Sequence, residues 1–473
     1  MKIFEKSIRE KDGVRIYMAE VNGETVLISE GDAGFKGEKA EIDGKNVVVA
    51  PQNHENANVL RALFPFTAPT RVLGKERSFG VGDRLGIATP GHIAVFEKYD
   101  AYPVLAQQSM RELTLTDRTY EDVLDCASFA VFRDGFEKGF GADGDHLKKA
   151  EDVRYALDLG FSMITLDCSD FIDNNAAALS DAEVEKAYVK NEELEGIYLG
   201  KSFDIGEGVT LAFSAEELRR IILVYGKAID FAVSIYEEFF KDGKYNADFE
   251  ISIDETLTPT TPLQHFFVAN ELTRRGVKFA TMAPRFCGEF QKGIDYIGDL
   301  QQFTSEMTVH AQLARHFGYK LSIHSGSDKF STFPIIGEKT RGIFHVKTAG
   351  TNWLEAMRVI AMVDPKFYRE VHAYALEAFD EATKYYHVTT DLTKIKPLSE
   401  VSDEDLPKYF DENDARQLIH ITYGLILSRK NADGSFAYRD KLYSLWREHE
   451  AVYTDALVRH IGRHLALLGV KDN

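Results

Sequence analysis

The sequence predicts an α/β fold built on a TIM (β/α)8 barrel, and three observations predict it. From about Leu85 to about Met362, short apolar strands alternate with helical patterns. The strand count comes to eight, which favours a closed barrel over an open doubly wound sheet. Several strands also run straight into polar clusters, as strands of a helix-covered parallel sheet do where ligands gather at their carboxyl ends. Lys320-Leu-Ser-Ile-His324-Ser325-Gly-Ser-Asp328-Lys329 is the clearest of these.

Residues 1 to about 75 read as a small β-rich region. Val14–Glu20 and Val47–Val49 are strand-like, with Asn22-Gly23 and Asp43-Gly44 as hairpin turn signals. Barrel strands are expected at Leu85–Ala88, Pro103–Gln107, Gly139–Asp143, Ser162–Leu166, Phe249–Ile253, Lys278–Met282, Lys320–Ile323 and Gly342–Val346. Helical periodicity follows at His92–Lys98, Tyr120–Phe132, Lys149–Leu159, Leu263–Arg275, Leu300–Phe317 and Leu354–Met362.

The stretch from about 172 to 246 is too long for a simple crossover and reads as an insertion after strand four. It carries a charged helical segment at Asp181–Leu194 and a hairpin around Gly206–Gly208. A long helix then opens on the capping box Ser214-Ala-Glu-Glu217 and reaches Phe240. From Pro365 to Asn473 the pattern is mostly helical, with an acidic connection at Ser399–Asp405 and Gly469 as a helix stop. The expected division is a β-rich region over 1–75, a barrel over 76–364 and a helical extension over 365–473.

The formal charge of −19 argues against nucleic acid or an anionic membrane as the main partner. Cys126, Cys168 and Cys287 are widely spaced and form neither a zinc-ribbon nor a CxxC pattern, which suits a reducing cytoplasm. The opening residues lack the apolar core of a signal peptide, and no apolar run reaches membrane-spanning length. Gly80-Val-Gly82-Asp83-Arg84 lacks both nucleotide-binding glycine fingerprints. A cytoplasmic enzyme acting on a small molecule is the expected class. The oligomeric state is left open, a homo-oligomer included.

Five strand ends carry chemistry. Gly141-Ala-Asp143-Gly-Asp145-His146-Leu-Lys148 pairs an acid with an imidazole: His146 can bind a metal while Asp145 moves a proton, or Asp145 can simply cap a helix. In Asp248-Phe-Glu250-Ile-Ser252-Ile-Asp254 the polar residues share one face of a strand, and a carboxylate facing a barrel lumen must be paired or metal-bound. Glu250 is thus a second acid/base candidate. Arg285, after strand six, offers a planar fork to a carboxylate, or else bridges to a loop acid. His324 and His345, on adjacent strands, complete with His146 a candidate metal-ligand set. Ser325, Lys329 and Lys347 are candidate grips for an anionic substrate. His460 and His464 lie at helical spacing without the glutamate of a zinc-protease motif and read as a helix face.

The combination GADGDHLK, EISIDET, APRFCGEFQKGIDYIGD, SIHSGSDKFS and FHVKTAGT resembles the metal-dependent tagaturonate/fructuronate epimerases of bacterial hexuronate catabolism, an aldolase-like family. The resemblance covers most of residues 78–362 and is specific in its last three motifs. It implies interconversion of D-tagaturonate and D-fructuronate with a divalent cation, the donor types not choosing among zinc, manganese, nickel and cobalt. Asp145-His146 is also similar to the Asp-His pair of class II ketose-bisphosphate aldolases, in which the acid moves protons and the histidine binds the metal.

The inverted carbon lies β to the ketone, so its hydrogen is not acidic. Retro-aldol cleavage and re-addition is the expected route, with Asp145 and Glu250 alternating as base and acid and Arg285 or Lys347 anchoring the carboxylate. Two other readings are an aldolase acting on a sugar acid or sugar phosphate, and a non-catalytic aldolase-like partner subunit.

Overall fold

Eight parallel strands close into a barrel in the computed structural model of the chain, which describes residues 1–348 and 350–473. Ala349, part of the 344–351 motif, lies outside the described residues. The strands are β1 (Arg77–Gly80), β2 (Tyr102–Ser109), β3 (Gly141–Leu147), β4 (Met163–Asp167), β5 (Asp248–Ile253), β6 (Thr281–Pro284), β7 (Lys320–Ile323) and β8 (Phe344–Lys347). Each pairs in parallel with its sequence neighbours, and β8 returns to β1 through Phe344 opposite Arg77 and Lys347 opposite Gly80.

The expected first strand, Leu85–Ala88, is a turn. The Asp83 carboxylate accepts from the backbone N–H groups of Leu85 (3.0 Å), Gly86 (2.8 Å) and Ala88 (2.8 Å) and leads the chain into helix Thr89–Lys98. The true strand, β1, is hard to see because its lumen face carries only Ser78 and Gly80. A Cβ at Gly80 would lie 1.8 Å from Gln107 Oε1, so any side chain there would displace the Gln107 amide. Strands β3, β6 and β8 start two to three residues later than expected and end four, two and one residues later, respectively. The polar ends of β3 and β8 face the lumen rather than opening a loop.

That lumen is polar, whereas barrel cores are ordinarily filled by branched apolar side chains. Lys347 of β8 reaches across to Asp143 of β3 (2.7 Å) and Thr165 of β4 (2.6 Å), and Glu250 of β5 accepts from Thr165 (3.1 Å) and Thr281 of β6 (2.5 Å). The apolar sides of the same strands face the helices, where Ile164, Leu166, Ile251, Ile253, Leu321 and Val346 are buried.

Residues 1–50 form a six-stranded antiparallel sheet in which Val14–Val21 pairs with Glu24–Glu30 across an Asn22-Gly23 turn, both residues at positive φ. The insertion after β4 contains the expected hairpin (Ser202–Asp204 with Thr210–Ala212) and the long helix Ala215–Phe239, whose capping box is Ser214 with Glu217. The charged segment divides into two helices, Asp181–Ala187 and Glu192–Tyr198, because Ser180 and Asn191 each cap a new start. The helices from Pro365 onward pack on the barrel. Trp353 donates its indole N–H to Ile419 O (2.7 Å) and Trp446 donates to Ala356 O (2.8 Å). Gly469, at φ 79°, follows the last helix as expected. No helix among the described residues is long and apolar enough to cross a membrane.

Candidate active site and metal centre

A cavity of about 810 Å³ opens at the carboxyl ends of the strands. Its wall takes Gln107 and Ser109 from β2, Asp145 and His146 from β3, Lys347 from β8, and His324 and Ser325 from just beyond β7. Tyr385, Tyr386 and His387 of the helical extension close one side. His146 (φ 55°) and Ser325 (φ 49°) both hold left-handed backbone conformations. Such conformations cost of order 1 kcal/mol or more for a residue with a side chain and collect at functional sites. Here they turn the chain sharply at the strand end, so that an imidazole faces the cavity.

The rings of His146 and His324 lie 4.9 Å apart, centroid to centroid. His324 Nδ1 is 3.2 Å from Asp254 Oδ1, and His146 Nε2 is 3.9 Å from the same oxygen. The opposite nitrogen of each ring is held by a carboxylate. His146 Nδ1 meets Asp145 Oδ1 at 2.8 Å, and His324 Nε2 meets Glu250 Oε1 at 2.7 Å. A carboxylate behind each imidazole fixes ring orientation and tautomer, as partners of metal-ligating histidines do. His324 Nδ1 is buried and makes no hydrogen bond. That orphaned nitrogen, a second imidazole and one carboxylate oxygen within 4.8 Å of one another form a donor set suited to a divalent cation.

The electrostatics follow from burial and crowding. Burial opposes charge on Asp145 and Glu250, yet Lys347 beside both, with His146 and His324 respectively, holds them well below the usual carboxylate range. Burial opposes charge on His146 too, but Asp145 pushes its pKa up to about 10. His324 rises for the same kind of reason, through Asp254 and Glu250 acting against burial. The centre therefore favours positive charge, whether a proton or a metal.

His345 is not the third ligand expected. It lies one lumen layer below, with Nδ1 bonded to Ser78 Oγ at 2.9 Å, and burial drives its pKa down to about 3. A residue two positions before the end of a barrel strand points into the lumen but falls short of the mouth. Asp254 occupies the place instead. It continues the Glu250-Ser252 alternation one step past β5, and that continuation was the signal available in the sequence.

Two expected substrate grips have other duties. All three N–H groups of Lys329 go to backbone carbonyls, those of Gln291 (2.7 Å), Ile294 (2.7 Å) and Ser327 (2.8 Å), so it ties two loops together. Lys347 spends its donors on Asp143, Thr165 and Asp145. Arg285 does line the cavity, with one guanidinium nitrogen donating to Thr256 O. His460 and His464 are more than a helix face, because with Asp328 they form a second cluster. Asp328 Oδ1 meets His460 Nε2 at 2.5 Å, and Arg416 bonds Oδ2 at 2.7 Å. His464 accepts from the Asp328 N–H at 2.9 Å and meets His460 O at 2.8 Å. With its atoms so engaged and a guanidinium in contact, this cluster is a structural tie.

The family model described as UxaE, tagaturonate epimerase, matches residues 4–468. The chain belongs to that family. Within it, the chain is 43% identical to the tagaturonate/fructuronate epimerase of Thermotoga maritima, over 99% of this chain and 97% of that protein. Crystal structures of the fructuronate-tagaturonate epimerase UxaE from Cohnella laeviribosi superpose closely on it. A glycerol complex gives a TM-score of 0.96 at 53% identity, covering 99% of this chain and 97% of that one. The native form gives 0.96 at 52%, covering 99% and 96%. As a member of the tagaturonate epimerase family, the chain presents two carboxylate-backed imidazoles and Asp254 at the barrel mouth.

Proposed function

We propose that this chain interconverts D-tagaturonate and D-fructuronate with a divalent cation, by inverting the carbon β to the ketone. The observation that carries the reading is the pair of carboxylate-backed imidazoles converging on Asp254 in a chain of this family. His146, His324 and Asp254 hold the cation. When bound, it supplies Lewis-acid polarisation to the substrate's ketone end.

The chain's own residues account for the remainder. Asp145, the carboxylate on the cavity wall beside the ligands, takes the proton from the hydroxyl on the inverted carbon. That oxygen becomes an aldehyde carbonyl as the bond between the inverted carbon and the carbon next to the ketone breaks, and its electron pair passes into an enediolate. The three-carbon aldehyde acid turns and is attacked on its other face, and Asp145 returns the proton. Lys347 keeps Asp145 ionised and aimed.

Glu250 has a different part from the acid/base role expected. It lies fully buried beneath His324, off the cavity wall, and acts by orienting that ring. Ser325 and Arg285 remain on the wall as substrate contacts.

The test is conversion of tagaturonate before and after chelation and readdition of a divalent cation, with a carbonyl trap present. Metal-restored turnover with capture of the three-carbon aldehyde is expected. Solvent deuterium at the inverted carbon would refute the cleavage route, and no conversion by metal-loaded protein would refute the activity.

A further inference from the structure

The geometry points to Arg111 and Lys292 as the anchor that holds the substrate's carboxylate while the cleaved aldehyde turns. The inference rests on the hexuronate reading above. Six cationic side chains line the cavity: Arg111, Lys148, Lys149, Arg285, Lys292 and Lys347. Lys347 is spent on lumen acids and Lys148 on Ser169 and Asp170 (2.8 Å each). Arg285 gives one guanidinium nitrogen to Thr256 O and has Glu289 at 3.9 Å, and Lys149 is mostly in solvent, 4.0 Å from Glu151. Arg111 and Lys292 have no ion pair and no side-chain hydrogen bond among the described residues. Two wall carboxylates act on both, Glu112 and Glu255; each stays beyond ion-pair distance, and Glu112 is already paired with Arg84.

Both are held in place from behind by the helical extension. Arg111 lies over the Tyr386 ring at 4.8 Å, and the Tyr386 hydroxyl meets that of Tyr423 at 2.9 Å. Beneath Lys292, Gln417 donates to its carbonyl at 3.2 Å and Arg416 donates to the carbonyl of Gly293 at 2.7 Å. Burial and the neighbouring Arg111 press the Lys292 ammonium downward in pKa, as befits a cation short of counter-charge. An uncommitted, prepositioned guanidinium–ammonium pair suits a carboxylate, which accepts from both.

The chemistry explains why an anchor belongs there. After cleavage, the carboxylate sits on the three-carbon aldehyde fragment, two carbons from the carbonyl that must present its other face. Rotation about the bond between the aldehyde carbon and its hydroxyl-bearing neighbour does this with the carboxylate fixed. Holding that group therefore retains the fragment without blocking the turn.

The probe is glycerate, the alcohol analogue of that fragment, with glycerol as its carboxylate-free control. Calorimetric binding to metal-loaded wild type, Arg111→Gln, Lys292→Gln and Arg111→Lys is compared alongside hexuronate kinetics. Loss of a charge-assisted bond weakens glycerate, and raises hexuronate KM, about tenfold to a hundredfold in each Gln variant. Glycerol affinity stays level, kcat falls less than KM rises, and Arg111→Lys recovers part of the loss. Thermal unfolding confirms that the variants fold. Equal glycerate affinity in wild type and in both folded Gln variants overturns the anchor, as does wild type binding glycerate no better than glycerol. If wild type does not epimerise tagaturonate yet glycerate binding still depends on the pair, the activity reading falls and the anchor stands.

Discussion

At the residue scale, the site is a set of imidazoles whose two nitrogens have different jobs. His324→Ala removes the orphaned Nδ1 and leaves Glu250 and Asp254 facing each other. Purified variant is expected to carry little divalent metal by elemental analysis and to lose nearly all turnover; full activity would refute this centre. Glu250→Gln and Asp145→Asn separate orientation from proton transfer. Removing the carboxylate behind a ligand weakens metal binding about tenfold to a hundredfold. Glu250→Gln should thus recover much of its turnover at saturating metal. Asp145→Asn should not, because the group that carries the proton is gone. Recovery of both variants alike would show that Asp145 only orients His146. A cation at a hundred times its Kd contributes about 2.7 kcal/mol to stability. Chelation should therefore lower the wild-type Tm and leave that of His324→Ala unmoved.

At the element scale, the loop after β7 is tied to the C-terminal helix Glu450–Leu467 and to helix Asn413–Ile421 through Asp328. Burial works against the Asp328 charge, but Arg416 and His460 hold its carboxyl well below the ordinary aspartate value of 3.8. A depressed folded pKa means the stability from this group is present above 3.8 and lost as pH falls through the folded value. Urea midpoints of wild type should accordingly drop between neutral and strongly acid pH by more than those of Asp328→Asn. At neutral pH, Asp328→Ala strands the buried Arg416 guanidinium and should cost about 3–5 kcal/mol. A loss below about 1 kcal/mol would mean that water or another acid replaces the pair. This tie also shows where element-level sequence reading stops. Periodicity placed His460 and His464 on one helix face, but only packing shows that the face meets an aspartate far away in the chain.

At the scale of the whole molecule, the barrel and the helical extension share a seam. Both tryptophans of the chain sit in it, fully buried, with ring centroids 6.0 Å apart. Packing across the expected boundary near residue 364 makes a single cooperative transition the expected outcome. Tryptophan fluorescence and far-UV circular dichroism should report coincident denaturant transitions. A fluorescence transition well ahead of the dichroism change would identify 365–473 as a separately melting unit. The extension also supplies Tyr386 to the cavity wall, so the site is completed from outside the barrel.

The sequence by itself determined the barrel, its strand–helix order and the insertion, and it named four of the five side chains that meet at the centre: the imidazoles His146 and His324 and the carboxylates behind them, Asp145 and Glu250. These are legible because strand and helix periods, capping boxes and a polar residue at the end of an apolar strand are local signals. Local signals misplaced β1, whose lumen face has no apolar alternation. They also chose His345 over Asp254, since an imidazole looks more like a ligand than a carboxylate does. Depth along the barrel decided that choice: His345 stops a layer short of the mouth, while Asp254 lies just past its strand end. Tertiary structure alone settled which charges are spent. Lys329 and Lys347 read as free cations in the chain and are saturated in the fold, whereas Arg111 and Lys292 are left facing the cavity. Whether a charge is available depends on partners brought in from distant segments, and no local pattern of residues records them.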